Sequence, residues 1–110
     1  MTVNINTHPE FVRQMKRYAK KYRSLANDYA DFLKSIRKDP FQGTDLGNGI
    51  RKVRLAVASK GKGKSGGMRV ITFSLEKVGD ELINITLLYI YDKNEMGNVS
   101  DDFIRYLLEN

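Results

Sequence analysis

The chain has 110 residues, with 19 Lys and Arg against 13 Asp and Glu, a net charge of +6 and a pI near 9.6. That is enough chain for one domain over residues 1–110 with its own core, and enough positive charge to favour nucleic acid or another acidic partner. Thiol catalysis and disulfides are excluded because there is no cysteine, and the lack of a leader-like start or a run of about 18 apolar residues argues for a soluble, cytoplasmic protein with no membrane partner.

Charge is unevenly distributed. Residues 1–40 hold nine basic and four acidic side chains, residues 41–75 seven and one, and residues 76–110 three and eight. The cationic chemistry therefore belongs to the first two thirds, and the last third is acidic.

Val3 and Ile5 alternate with polar neighbours as in a short strand. Thr7, followed by Pro9 and by Glu10 three residues later, predicts a helix start at Thr7. Phe11, Met15, Tyr18 and Tyr22 then recur at helical spacing while Arg13, Lys16, Arg17, Lys20 and Lys21 point elsewhere, giving one packing face and one basic face. Ser24 is the expected cap of a second helix carrying Leu25, Tyr29, Phe32, Leu33 and Ile36 on one stripe, stopped by Asp39-Pro40. The segment from Phe41 to Gly49 holds three glycines and no clear period, so it reads as a connection.

Ile50 to Ala58 is strand-like, with Val53, Leu55 and Val57 on one face and Lys52, Arg54, Ala56 and Ala58 on the other. Ser59 to Arg69 reads SKGKGKSGGMR, a cationic glycine-rich hairpin with the composition of an anion site. Arg69 to Leu75 forms the next strand, Gly79-Asp80 a turn, and Leu82 to Tyr91 a long apolar strand in the interior of the sheet. Ser100, Asp101 and Asp102 open a final helix with Phe103, Ile104, Leu107 and Leu108. The order β-α-α-β-β-β-α implies an α+β fold, two N-terminal helices packed on a small antiparallel sheet.

Gly63-Lys64-Ser65 has the ending of a phosphate-binding P-loop, but the glycine required five positions earlier falls at Ala58 and the segment leads into a strand instead of a helix. Nucleotide hydrolysis is not expected. With His8 the only histidine, neither a histidine pair nor a multi-histidine metal site can form within the chain, and no metal or cofactor is expected. Asp92 and Glu95, at a strand end, read as turn or capping groups.

What remains is a set of cations: Lys52 and Arg54 on one strand, Lys60, Lys62 and Lys64 on the hairpin, Arg69 entering the next strand, and Lys93 after the long one. Neighbouring strands lie about 4.8 Å apart, so groups near their ends can converge on one phosphate. Such a cluster could cleave RNA without metal by stabilising a pentacovalent phosphorane, with Arg69 as the phosphate clamp and a crowded lysine, Lys52 or Lys93, losing its proton to act as base. Tyr89 and Tyr91 lead up to Lys93 and could stack on a base or orient a phosphate, whereas the helical aromatics suit a core.

The run GIRKVRLAVASKGKGKSGGMRVITFSL from Gly49 to Leu75, followed by LLYIYDKNEMGNVS from Leu87 to Ser100, resembles the RelE/HigB toxins of bacterial type II toxin-antitoxin modules, closest to the HigB-like branch. The resemblance implies a RelE-like fold and a ribosome-dependent endoribonuclease, an mRNA interferase that inhibits translation by cutting messenger RNA in the A site of the small subunit through 2′-hydroxyl attack. It also implies a cognate antitoxin that blocks it. Carried onto this chain, it points to Lys52, Arg54, Arg69 and Lys93 for catalysis, to which the reading of the residues adds Tyr91, with Arg51, Lys60, Lys62 and Lys64 of the same basic series expected to bind RNA or phosphate. Some relatives carry an arginine one position after Lys93, where this chain has Asn94, and others use a tyrosine or histidine that neither Tyr106 nor His8 clearly matches. The general base stays open among Lys52, Tyr91 and Lys93, with Lys52 first. Two alternatives stand beside the nuclease: a ParE-like inhibitor of DNA gyrase on the same fold, and a non-enzymatic RNA-binding module.

Overall fold

A computed structural model describes residues 2–60, 67–77, 79 and 81–110. Its elements run β1 (Thr2–Thr7), α1 (Pro9–Lys21), α2 (Leu25–Lys38), β2 (Thr44–Gly47), β3 (Ile50–Leu55), a 3-10 turn (Ala58–Lys60), β4 (Met68–Lys77), β5 (Leu82–Asp92) and α3 (Asp101–Glu109). The five strands form one sheet in the order β1-β5-β4-β3-β2. The α+β class and the β3-β4-β5 meander agree with the sequence reading.

Three details differ. The sheet is mixed, because β1 pairs parallel to β5, Val3 opposite Ile83 and Ile5 opposite Ile85, so that four apolar side chains share the helix-covered face. The first helix starts at Pro9, not Thr7. Thr7 is committed to the ladder opposite Leu87, and His8 takes the cap in extended conformation, its Nδ1 accepting the Glu10 N–H at 3.0 Å. The expected connection from Phe41 to Gly49 contains an antiparallel edge strand, β2, paired Thr44 to Lys52 and Asp45 to Arg51.

Helices α1 and α2 lay Phe11, Tyr18, Leu25, Phe32 and Ile36 on one face of the sheet, against Val53, Leu55, Met68, Val70, Ile83, Ile85, Leu87 and Ile90. Fully burying each such aliphatic or aromatic side chain is worth about 1.5–3 kcal/mol. Ser24 precedes α2 as expected, yet its hydroxyl bonds the Asp28 carboxylate and accepts the Ser59 N–H at 2.9 Å, tying the 3-10 turn to the helix instead of capping it.

The opposite face carries Ile50, Ile71, Leu88, Tyr89 and Tyr91 under Val99, Ile104 and Leu107 of the C-terminal segment. The Ser100 hydroxyl accepts the Phe103 N–H at 3.1 Å and starts α3. A bulge at Leu88 lets Leu88 and Tyr89 both face α3 while Leu87 and Ile90 face the helical pair. Beyond that bulge, Tyr91 is brought into line with Arg69.

Candidate active site

Antiparallel register places Arg54 directly opposite Arg69, and Arg69 directly opposite Tyr91. Residues directly opposite one another point to the same face, so one row across three strands reads Arg54–Arg69–Tyr91. The next row on that face is Lys52–Ile71–Tyr89. The alternation that buries Val53 and Leu55 beneath α1 and α2 is what sends Lys52 and Arg54 the other way. Among the described residues, no carboxylate lies within ion-pair distance of Lys52, Arg54 or Arg69.

Access is graded along the row. Arg54 is exposed, Arg69 is 8% exposed, and Tyr91 is 1% exposed. The Arg69 guanidinium donates to the Met68 carbonyl at 3.2 Å, which holds it at the surface of the sheet. Burial pushes the Tyr91 phenol above its ordinary range, and neighbouring Arg69 pulls partly against that. A cleft of about 310 Å³ opens beside the arginines, lined by Gln42, Gly43, Thr44, Lys52, Val53, Arg54 and Arg69. Gly43 shapes its wall: at φ +96° a Cβ there would lie 2.5 Å from the Lys52 carbonyl oxygen.

The remaining expected residues fall in different places. Arg51 points away from the row, its guanidinium 5.0 Å from the centre of the Phe41 ring and 3.8 Å from the Asp45 carboxylate. Lys93 is exposed on the turn that follows β5. Lys62 and Lys64 lie outside the described residues, as does Asp80 of the expected turn. Lys60 is turned inward, where its Nζ sits 2.8 Å from the Asp92 carboxylate, with side-chain exposures of 7% and 2%. Tyr89 is likewise enclosed, its hydroxyl accepting from the Gln14 amide at 3.1 Å and its ring edge-on to Phe103 at 4.9 Å.

Asp92 is more than the turn group its sequence position suggests. Burial pushes its carboxyl up, but bonds from Lys60, the Tyr22 hydroxyl and the Asn94 N–H outweigh that and hold it below the usual carboxylate range. Tyr22 is raised in turn, by burial and by its bond to Asp92. Gln42, Gly43 and Thr44, which border the cleft, also escaped the sequence reading. Their segment has no hydrophobic period, and only their closeness in space to Arg69 marks them.

Two opposed arginines and a tyrosine thus share one row on a face of this small α+β domain, with Lys52 in the next row and no carboxylate in either, a set of groups whose chemistry suits an anion such as a phosphate ester. Residues 10–109 match the family described as the RelE toxin of the RelE / RelB toxin-antitoxin system. The chain belongs to that toxin family, and the family implies a cognate antitoxin as its partner. No helix among the described residues is long and apolar enough to cross a membrane.

Proposed function

We propose that the domain, spanning residues 1–110, is a HigB-like, ribosome-dependent mRNA endonuclease that works in the cytoplasm and halts translation by cutting messenger RNA in the A site without a metal ion. The observation that carries this reading is the Arg54–Arg69 pair. Two like charges set directly opposite on adjacent strands destabilise the sheet, and an anion seated between them removes that repulsion.

In the proposed reaction a ribose 2′-oxygen attacks the adjacent phosphorus, the P–O5′ bond breaks, and the products are a 2′,3′-cyclic phosphate and a free 5′-hydroxyl. Arg54 and Arg69 bind the non-bridging oxygens and stabilise the extra negative charge of the phosphorane. Lys52, two residues before Arg54 and on the same face, takes the 2′-hydroxyl proton. Lys93, on the turn beyond Tyr91, returns a proton to the departing 5′-oxygen, and Tyr91 backs Arg69. Fixed positive charge on the chain itself supplies what a metal would otherwise contribute. Lys62 and Lys64 supply backbone phosphate contacts around the cut, while Arg51 is held away from it by Phe41 and Asp45 and Lys60 is engaged by Asp92 inside the fold.

Primer extension on messenger RNA after brief induction tests the reading. Discrete new 5′ ends within translated regions are expected. Intact transcripts with DNA breaks would replace it with gyrase inhibition, and ribosome or RNA binding without new ends would leave a binding module.

A further inference from the structure

The reactive row is flanked by one that ends the sheet, Leu55–Met68–Asp92, and its acidic member is tied on every polar atom. The Asp92 N–H donates to the Tyr18 hydroxyl at 3.1 Å, and its carbonyl accepts the N–H groups of Glu95 and Met96, each at 3.0 Å. Carboxylate oxygen Oδ1 accepts from Lys60 Nζ at 2.8 Å and from the Asn94 N–H at 2.9 Å, while Oδ2 accepts from the Tyr22 hydroxyl. Lys60 Nζ also lies 5.3 Å from the centre of the Tyr22 ring. Outside this knot, Glu95 pairs with Arg17 and Lys21, each at 3.3 Å.

A buried ion pair of this kind is generally no more stabilising than apolar side chains of similar volume, so stability alone does not account for it. What an apolar pair cannot supply is direction. The carboxylate takes bonds from three separate segments: the end of α1 through Tyr22, the 3-10 turn through Lys60, and the turn after β5 through Asn94. Its chain neighbours on either side are Tyr91, in the reactive row, and Lys93, on the turn.

We infer that Asp92 is a positioning residue for phosphodiester cleavage: by binding Lys60, Tyr22 and the Asn94 N–H together, it fixes Tyr91 in register with Arg69 and sets the turn that presents Lys93. This rests on the endonuclease reading. Asp92 touches no substrate, and its effect on the reaction passes entirely through its two neighbours.

Single-round cleavage of a defined mRNA on programmed ribosomes, followed against toxin concentration, separates the maximal rate from the half-saturating concentration. Two double variants leave no unpaired buried charge: Lys60→Met with Asp92→Leu, which removes all three bonds, and Lys60→Met with Asp92→Asn, which keeps an acceptor for the Asn94 N–H. Thermal unfolding establishes that each is folded at the assay temperature. The first should lose at least tenfold in maximal rate with half-saturation within twofold of wild type, and the second should lose less than the first while staying at least threefold below wild type. A folded leucine variant that cleaves within twofold of wild type, or whose deficit lies wholly in half-saturation, overturns the inference. If the leucine variant does not fold, the asparagine variant decides by the same twofold criterion. A wild-type protein that leaves the mRNA intact removes the endonuclease reading and this inference with it, an outcome distinct from an active wild type with unaffected variants.

Discussion

Arg54 and Arg69 stand directly opposite one another on β3 and β4, so two guanidinium groups share one face with no carboxylate among the described residues in ion-pair contact with either. Like-charge cross-strand pairs destabilise by about 0.2–1 kcal/mol. The exposed member, Arg54, should therefore trade stability against activity. Arg54→Gln is expected to raise the unfolding free energy by about 0.5 kcal/mol while lowering cleavage by about 100-fold or more, read by thermal unfolding and primer extension. A variant that loses both together would place the pair in the scaffold alone.

Arg69→Ala goes further because Arg69 is central in the row, between Arg54 and Tyr91. Cleavage should fall by about 100- to 1,000-fold, the loss typical of removing one donor to a developing negative charge. Ribosome association, measured by co-sedimentation, should remain within about threefold of wild type. Cleavage at the wild-type rate would remove Arg69 from the mechanism.

If Arg54 and Arg69 together neutralise the scissile phosphate and Lys62 and Lys64 one flanking phosphate each, the logarithm of affinity for single-stranded RNA should fall against the logarithm of salt with a slope of about −2. Filter binding across a salt series measures it. A flat profile points to a protein target.

Acid should loosen the fold through Asp92. Its folded carboxyl is held below the ordinary range, so its contribution to stability is fully present above the unfolded value of about 3.9 and is lost as pH falls through the lower folded value. Melting temperature should drop as pH falls below about 4, and the Lys60→Met, Asp92→Asn double variant should show a shallower drop. Equal slopes would mean that other carboxylates govern acid unfolding.

Gly43 and Gly47 offer a controlled comparison, with φ +96° and +91°. A Cβ at Gly43 meets the Lys52 carbonyl oxygen at 2.5 Å, whereas one at Gly47 meets nothing within 4 Å. Gly47→Ala should cost about 1 kcal/mol for the left-handed backbone alone, and Gly43→Ala about 3 kcal/mol, with reduced cleavage as the cleft wall shifts against Lys52. Equal melting temperatures for the two variants would show that the close approach carries no weight.

Much of this architecture was legible in the chain. The helices show apolar periods that end at recognisable stops, and the meander shows runs of apolar residues between glycines. What escaped has physical causes. All of Thr44–Gly47 is exposed, so β2 has no buried face to impose alternation. The parallel pairing of β1 could not be read because its partner begins at Leu82, and that same pairing removes Thr7 from the helix it seemed to cap. Alternation did place Lys52 and Arg54 on one face, but their alignment with Tyr91 depends on a bulge at Leu88 that an unbroken apolar run conceals. Lys60 is the sharpest case. A lysine among glycines and lysines looks solvated, and nothing local shows that an aspartate 32 residues onward will draw it inside.

The adjacency of β1 and β5 has a temporal consequence. A strand made among the first few residues must wait for residues 82–87 before its hydrogen-bonding edge is occupied, and such long-range closure is slow compared with helix formation. Until those residues leave the exit tunnel, neither Tyr91 nor the sheet beneath it exists in working form. The toxin therefore gains its completed sheet only late in its own synthesis.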